Sequence, residues 1–466
     1  MHNLLIFTLQ TTFYVYGIFS LLLSFWCLIY SENNYSIFFI STIICFIIGY
    51  FISFLLSDKI ALLKNFLKAL FLCWLLLILV ASIPFYSLIN VVDFNTIIFF
   101  STSLSTTTGF NVSFFNYFQD FEPLLIWSSI VQVMGGFFSI ISFILIFLVI
   151  FNNKNKYVIF NKKLIIKFIL YYFMLFIIYI LLINYNINDL KDSLVITAAI
   201  ISTGGVIGNE GNVLGHYFSK NNFLIIYSML IVFTTIIVPS FLIVQNRDIF
   251  YSYYLKVLKR CFFLLIVSAI MLLIILNMEF LSFEENLFIF LSFITTTGIL
   301  PNKVNDVSIL QQLYPFFFIF LLLTVIGGFS ASSSGGLKID RISILIIKIK
   351  EELSKLTLRH KVYGVDLIKK GSDQNELNSF YALLSFGICI IISSVLMLAT
   401  FGYSLFEAFA ISVAALSNTG DGFLYLNNIK LYDTSYSFFI LNLLMICGRF
   451  ELVGYLLIIQ KFIFKN

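Results

Sequence analysis

Long apolar stretches separated by short polar turns run through the whole chain. The first two extend from Leu4 to Tyr30 and from Ile37 to Leu56, and the polar turn 31–36 joins them. Runs of about 20 continuous apolar residues predict helices that cross a membrane, whereas the strands of a β-barrel would alternate between apolar and polar residues. We therefore predict an all-α integral membrane protein that begins with a two-helix hairpin.

The composition supports a membrane protein. Hydrophobic residues make up 60% of the 466 residues, charged residues only 11%, and the mean hydropathy is +1.02. No plausible soluble fold would keep 57 phenylalanines away from water. The six cysteines lie inside apolar runs without a paired spacing, so neither a disulfide nor a metal site is predicted.

A short motif that ends in Thr-Gly occurs four times along the chain. We call these stretches the first to fourth Thr-Gly segments: Thr107-Thr108-Gly109, Thr203-Gly204, Thr296-Thr297-Gly298 and Asn418-Thr419-Gly420. The first three are about 95 residues apart, and the fourth follows after about 120 residues. This spacing is too long for a small solenoid repeat and suits a unit of one helix, one half-helix and a second helix.

The residue about sixteen positions before each of these glycines is of a type that starts helices. These residues are Asp93, Asn188, Ser282 and Ser404. Ser282 and Ser404 are each followed three residues later by a glutamate, which is the capping-box pattern. A helix of about twelve to fourteen residues fits between cap and segment, and its length of roughly 20 Å is too short to cross a hydrocarbon core of about 30 Å. We therefore predict four re-entrant helices.

Four pseudo-repeats follow from this spacing, each consisting of a helix, a re-entrant pore helix, a Thr-Gly segment and an inner helix. The predicted regions are the N-terminal two-helix hairpin 1–58 and the pore repeats 59–157, 158–250, 251–375 and 376–466. The third repeat has an interrupted inner helix and a basic cytoplasmic segment. The prediction amounts to ten full spans and four half-spans.

The ends of the re-entrant helices give the segments their predicted chemistry. Each helix directs the negative end of its dipole into the membrane, and four segments around one central pore would form a ring of carbonyl oxygens that replaces the hydration shell of a cation. Glycine tolerates the backbone angles that such a ring requires. The pattern predicts a potassium-type selectivity filter built from one chain.

Most of the 28 Lys and Arg residues fall on one side of the predicted spans. By the positive-inside rule that side is the cytoplasm, so the N-terminus is predicted to be cytoplasmic and the segments to open outward. Acidic residues such as Asp93 and Glu407 collect on the outer side. They either concentrate cations at the mouth of the pore or only cap helices and keep the loops hydrated, and the sequence leaves both interpretations open.

The segments and two inner-helix motifs together resemble the Trk/Ktr/HKT superfamily of potassium transporters, and specifically the membrane subunit of the bacterial Trk type. The two motifs are the Gly- and Ser-rich stretch 327–338 and the Gly-Arg-Phe-Glu stretch 448–451. The resemblance extends over nearly the whole chain. It implies potassium uptake across the plasma membrane, the bacterial inner membrane.

The resemblance also implies roles for individual residues. The residues implied to bind K⁺ in the filter are Thr107, Thr108, Gly109, Thr203, Gly204, Thr296, Thr297, Gly298, Asn418, Thr419 and Gly420. The residues implied to form an intramembrane gate loop are Gly328, Ser330, Ala331, Ser332, Ser333, Ser334, Gly335 and Gly336. The residues implied to face the pore are Arg449 and Lys338.

The partners expected from the resemblance are a second copy of the chain, in a homodimer, and separate cytoplasmic regulatory subunits that bind a nucleotide. No cofactor is expected in this chain, K⁺ is the transported ion, and the nucleotide is expected only on the partner subunit. Membrane lipid surrounds the predicted helices, and no nucleic acid is expected.

Several alternatives remain open at this stage. The chain resembles a gated channel, but a symporter that couples K⁺ to Na⁺ or H⁺ fits the same pattern. A membrane-embedded enzyme is disfavoured because His2, His216 and His360 all lie outside the predicted spans. Arg449 either faces the pore or forms a structural ion pair with another helix. Asp421, directly after the fourth segment, departs from the family pattern and puts the preference for K⁺ over Na⁺ in question.

Overall fold

A computed structural model describes most of the chain. The described residues are 2–30, 34–55, 63–89, 92–111, 121–151, 162–207, 282–301, 314–329, 332–339, 372–425 and 434–449, with the single positions 230, 342, 346, 349, 353, 429 and 431. Within these ranges the secondary structure is helical and contains no β-strand, as the predicted all-α class requires.

The helices that the structure describes are numbered here in chain order. They are α1 (His2–Ile29), α2 (Tyr35–Leu55), α3 (Leu63–Leu88), α4 (Phe94–Ser105), α5 (Glu122–Phe151), α6 (Lys162–Ile187), α7 (Leu190–Ser202), α8 (Phe283–Ile294), α9 (Phe317–Ile326), α10 (Ser372–Thr400), α11 (Leu405–Leu416), α12 (Asp421–Tyr425) and α13 (Ser435–Arg449). A 3₁₀ turn, Tyr314–Phe316, precedes α9.

Five helices, α1, α2, α3, α5 and α6, are long and apolar enough to cross a membrane. Large apolar side chains on their outer faces are exposed, and Phe54, Leu170 and Leu181 are each more than half accessible. Such a surface suits lipid, where a helix satisfies its backbone hydrogen bonds within itself. The remaining spans of the ten predicted include stretches outside the described residues.

The N-terminal hairpin packs against the body of the protein. The hydroxyls of Ser20 and Thr42 are hydrogen-bonded at 2.9 Å between α1 and α2. The Tyr16 ring stacks on Trp127 of α5, with ring centroids 5.5 Å apart. The Trp127 indole donates to the Ala81 carbonyl of α3 at 3.0 Å. The hairpin is thereby attached to the first predicted repeat.

Four short helices, α4, α7, α8 and α11, have 12 or 13 residues, which is the length expected between each cap and its segment. Asp93, Ser282 and Ser404 are their N-caps as predicted, and both predicted capping boxes are formed. The prediction of Asn188 as the N-cap of the second short helix was wrong by one residue. Asp189 caps α7, and its carboxylate accepts a hydrogen bond from the Lys191 amide at 2.9 Å.

The error at Asn188 has a simple backbone cause. Asn188 has a φ of 59° and closes α6 with a left-handed residue, a conformation in which Asn is favoured. Asp189 has the extended backbone that an N-cap needs. Two adjacent residues of cap type therefore serve two different helices.

The short helices are held by the long helices in a cyclic pattern. Each of the three inner helices that the structure describes packs against the short helix of the next predicted repeat, α5 against α7, α9 against α11 and α13 against α4, as well as against the short helix of its own repeat. The outer helices α3, α6 and α10 pack against α4, α7 and α11 of their own repeats. This arrangement brings the C-terminal ends of the short helices together.

Candidate functional site

The four Thr-Gly segments share one backbone conformation directly after their short helices. The first residue of each is left-handed, with φ of 48°, 55°, 57° and 53° at Thr107, Thr203, Thr296 and Asn418. Two residues later comes a glycine with positive φ, and these glycines are Gly109, Gly205, Gly298 and Gly420. A left-handed conformation costs a residue with a side chain roughly 1–2 kcal/mol, so glycine is favoured at the second of these positions.

The second segment is therefore shifted by one residue from the spacing predicted above. Gly205, with a φ of 73°, corresponds to Gly109, and Gly204 corresponds to Thr108. The hydrogen bonds agree, because the amides of Thr108 and Gly204 each donate five residues back into their helix, at 2.8 and 2.9 Å. Thr297 and Thr419 make the same bond, at 2.8 and 3.0 Å.

Neighbouring segments touch through their backbones. A Cβ added at Gly109 would overlap the carbonyl oxygen of Gly204, and one at Gly420 would overlap that of Thr108. A Cβ at Gly298 would overlap the carbonyl oxygen of Thr419. The second segment thus contacts the first, the first contacts the fourth, and the fourth contacts the third. The packing of the helices follows the same order.

Side chains of the fourth segment add polar links to the first. The Asn418 amide nitrogen donates to the Thr108 hydroxyl at 2.8 Å and to the Met445 carbonyl at 3.1 Å. The partly buried carboxylate of Asp421 accepts a hydrogen bond from the Asn111 backbone amide. The acidic residue flagged in the sequence thus lies at the junction of two segments.

A stretch that we call the serine-glycine loop, residues 327–336, follows α9. Gly327 ends the helix with a φ of 68°, and the chain then returns beside itself. The Leu337 amide donates to the Val325 carbonyl at 2.8 Å, and the Ile339 amide donates to that of Gly328 at 3.0 Å. The helix α9 thus ends at the glycine where the sequence predicted an interruption. Ser330 and Ala331 lie outside the described residues.

The serine-glycine loop contacts the ends of three short helices. The Gly335 amide donates to the Thr296 hydroxyl at 2.6 Å, and the Ser333 hydroxyl donates to the Ile201 carbonyl at 3.2 Å. A Cβ at Gly335 would overlap the carbonyl oxygen of Ser417. The loop therefore bridges the second, third and fourth segments at their helix ends.

Arg449, the last residue of α13, joins the loop to the first segment. Its guanidinium is buried and donates to the carbonyl oxygens of Thr106, Thr107 and Ser333, and to the Thr107 hydroxyl. These contacts join the end of α13 both to the first segment and to the serine-glycine loop.

Lys338, the second positive residue singled out in the sequence, is also buried. Its ammonium group donates to the Ser334 carbonyl and lies 3.5 Å from that of Ser332. Ser332 and Ser334 also share a hydroxyl hydrogen bond of 2.5 Å. Two cations thus bind carbonyl groups of one short loop.

The inner-helix glycines show which residue of α5 corresponds to Arg449. A Cβ at Gly135 would overlap the Ser105 carbonyl oxygen, and one at Gly448 would overlap that of Leu416. Because Ser105 and Leu416 both end a short helix, Gly135 corresponds to Gly448, and Arg449 corresponds to Gly136. The arginine therefore stands at a position where an inner helix meets the next segment.

Gln132 of α5 was not singled out in the sequence, although it lies at the second segment. It is fully buried, and its amide nitrogen donates to the Val206 carbonyl at 3.3 Å. A Cβ at Gly204 would lie 2.5 Å from its amide oxygen. The only signal in the sequence was the glycine that stands where the other segments have threonine.

Comparisons with known proteins relate the chain to cation transporters. No family model matches the chain. An uncharacterized cation transporter of Methanocaldococcus jannaschii is 23% identical over 97% of this chain and 94% of its own length. The Trk system potassium uptake protein TrkH of Escherichia coli is 30% identical, over 30% of this chain and 28% of its own length.

The fold is shared over almost the entire length with a solved structure. The crystal structure of the potassium transporter TrkH from Vibrio parahaemolyticus matches with a TM-score of 0.78, over 98% of both chains and at 18% identity. The resemblance predicted from the motifs is thereby confirmed. The chain has the fold of TrkH and resembles the membrane subunits of the bacterial Trk type.

Proposed function

We propose that this chain takes up potassium across the plasma membrane through a filter formed by its four Thr-Gly segments around one central pore. The observation that carries the proposal is that the four segments contact one another in turn, with the backbone carbonyls of one segment against the glycines of the next. Four such segments can supply the ring of oxygens that replaces the hydration shell of a cation. The transport of potassium by TrkH proteins supports this choice of ion.

The short helices contribute to the electrostatics of such a filter. Each ends immediately before its segment, at Ser105, Ser202, Ile294 or Leu416. The C-terminal end of a helix carries about half a negative charge, so four converging ends favour a cation between them. Asp421 adds a carboxylate close to this point, between the fourth and first segments.

The serine-glycine loop is the proposed gate. Its contacts with the helix ends of the second, third and fourth segments support a position across the pore. A loop held by separate hydrogen bonds can be released when those bonds are exchanged for others. Arg449 and Lys338, which hold the loop, are proposed to face the same pathway.

Partners and orientation complete the proposal. The distribution of Lys and Arg supports a cytoplasmic N-terminus in a bacterial inner membrane. The TrkH relatives are potassium uptake proteins of Trk systems, which supports a membrane subunit that works with other subunits. We expect a homodimer whose gates are controlled by cytoplasmic nucleotide-binding subunits.

The test of this function is potassium uptake by the whole chain. In a host that lacks its own potassium uptake, the chain should restore K⁺ accumulation, with Rb⁺ as a competitor and Na⁺ as a poor one. Gly109→Ser should reduce the preference for K⁺ over Na⁺, because the side chain would overlap the neighbouring carbonyl.

Gly402 offers a matched control. It also has a positive φ, of 96°, but no atom lies within 4 Å of a Cβ added there. Gly402→Ser should therefore strain the backbone without changing ion preference. Equal uptake of Na⁺ and K⁺ by the parent would refute the filter, and K⁺ uptake that requires an imposed Na⁺ or H⁺ gradient would favour the symporter.

A further inference from the structure

The second segment differs chemically from the other three. In the first, third and fourth segments, the hydroxyl of the middle threonine is paired with the hydroxyl two residues earlier. These pairs are Thr106 with Thr108 at 2.8 Å, Thr295 with Thr297 at 2.9 Å, and Ser417 with Thr419 at 2.7 Å. In the second segment Ser202 is present, but Gly204 stands in place of the threonine and has no hydroxyl to offer.

The place of the missing side chain is occupied by Gln132. Its amide oxygen lies 2.5 Å from the position of a Cβ at residue 204, which is also 2.9 Å from the Ser202 hydroxyl. Its amide nitrogen donates to Val206, just beyond the glycine that corresponds to Gly109. Gln132 therefore contacts the second segment on both sides of its positive-φ glycine.

Gln132 is a polar side chain in a fully buried environment. The residue has no exposed surface, and its amide oxygen accepts no hydrogen bond within the part of the chain that the structure describes. A buried polar atom without a partner costs about 1–3 kcal/mol, so an apolar side chain of similar size would pack there more favourably. The amide therefore has a role other than filling space.

We propose that Gln132 is a positioning residue that replaces the missing threonine of the second segment and helps to set the preference of the pore for K⁺ over Na⁺. The inference rests on the proposed function and adds a residue to it. By holding the Val206 carbonyl, the amide fixes how closely the second segment approaches its neighbours. Without that bond the ring of carbonyl oxygens loses one fixed member, and a smaller ion is rejected less well.

An exchange of the two side chains tests this directly. Gln132→Ala, Gly204→Thr and the double variant are compared for K⁺ and Na⁺ flux in liposomes. Gln132→Ala should lower the K⁺/Na⁺ ratio about twofold to tenfold, the range expected for the loss of one ordinary hydrogen bond. Gly204→Thr should lower it further, because its Cβ would meet the Gln132 amide.

The double variant should recover selectivity relative to both single variants. With the amide gone, Thr at position 204 has room and can pair with Ser202, as the threonines of the other segments pair with their neighbours. The coupling between the two sites is then measured by the double-mutant cycle. A double variant that is less selective than either single variant would overturn the proposal.

Further variants separate the amide from its volume and from the filter itself. Gln132→Met keeps the size but cannot donate, so it should lose selectivity while its melting temperature stays close to that of the parent. Gln10→Ala is the matched control. It removes a glutamine hydrogen-bonded to the Tyr14 hydroxyl in α1 and should not change the K⁺/Na⁺ ratio.

The outcomes for Gly109→Ser keep the two proposals distinguishable. If Gly109→Ser loses selectivity while Gln132→Met retains it, Gln132 has only a packing role and the filter stands. If neither variant changes the ratio, the filter assignment itself fails.

Discussion

Replacement of Arg449 by alanine should increase potassium flux in the absence of any partner subunit. The guanidinium makes hydrogen bonds to Thr106, Thr107 and Ser333, and the bond to Ser333 reaches the serine-glycine loop. A hydrogen bond from a charged donor contributes about 1.5–3 kcal/mol. Its loss should shift the loop toward an open position by roughly tenfold to 150-fold, at 1.4 kcal/mol per factor of ten.

The positive charge acts in the same direction if Arg449 faces the pore. At an effective dielectric constant of about 20 and a separation of roughly 6 Å, two unit positive charges repel each other by about 3 kcal/mol, which is about a hundredfold in rate. Water in the pathway screens part of this. The loss of the hydrogen bond to the loop and the loss of the charge are thus similar in size, and alanine removes both.

Arg449→Lys separates the two effects. Lysine keeps the charge but lacks the planar fork that reaches several carbonyls at once. If the hydrogen bond to the loop dominates, the lysine variant should conduct nearly as fast as the alanine variant. If the charge dominates, it should stay close to the parent. Lys167→Ala, which removes an exposed positive charge on α6, is the control.

The assay is K⁺ flux from liposomes, with the melting temperature measured on the same preparation. Arg449→Ala should melt at a lower temperature, because the Thr106 and Thr107 carbonyls lose a donor, so a loss of stability alone decides nothing. A folded alanine variant whose flux is at or below that of the parent would refute both the gate and the pore-facing position of Arg449.

Three further substitutions test other parts of the site. Gly205→Ala should lower K⁺/Na⁺ selectivity, because its φ of 73° costs a side chain roughly 1–2 kcal/mol, and ion flux ratios check this. Gly335→Ala should raise flux measured without a partner, because its Cβ would overlap the Ser417 carbonyl and push the loop away. Asn418→Ala should lower both the melting temperature and the selectivity, because it unties the fourth segment from Thr108, whereas Asn418→Ser should do so only in part.

Much of this architecture could be predicted from local patterns. Helix lengths and three of the four N-caps follow from short-range chemistry, since a cap and the helix it starts are adjacent in sequence. The register of the second segment could not be predicted in this way. Gly204 completes the Thr-Gly motif and Gly205 follows it directly, and only the backbone shows which of the two has the positive φ.

The contacts across the site were beyond the reach of sequence patterns. Arg449 stood out because a charge inside an apolar helix is rare, but its partner Thr106 is 343 positions away and no local rule connects them. Gln132 carries no charge and was missed for that reason. The absence of a threonine at position 204 marked its place, but only the fold shows which side chain fills it.

The cyclic packing of the helices gives these distant contacts a common origin. Each inner helix that the structure describes packs against the short helix of the next repeat as well as its own, so α5 brings Gln132 to the second segment and α13 brings Arg449 to the first. Gly335, after α9, reaches the end of α11 in the same sense. A segment is therefore held by its own helix from behind and by the preceding repeat from the side. Because Gly135 of α5 and Gly448 of α13 also meet the ends of their own short helices, a substitution in either inner helix should alter its own segment as well as that of the following repeat.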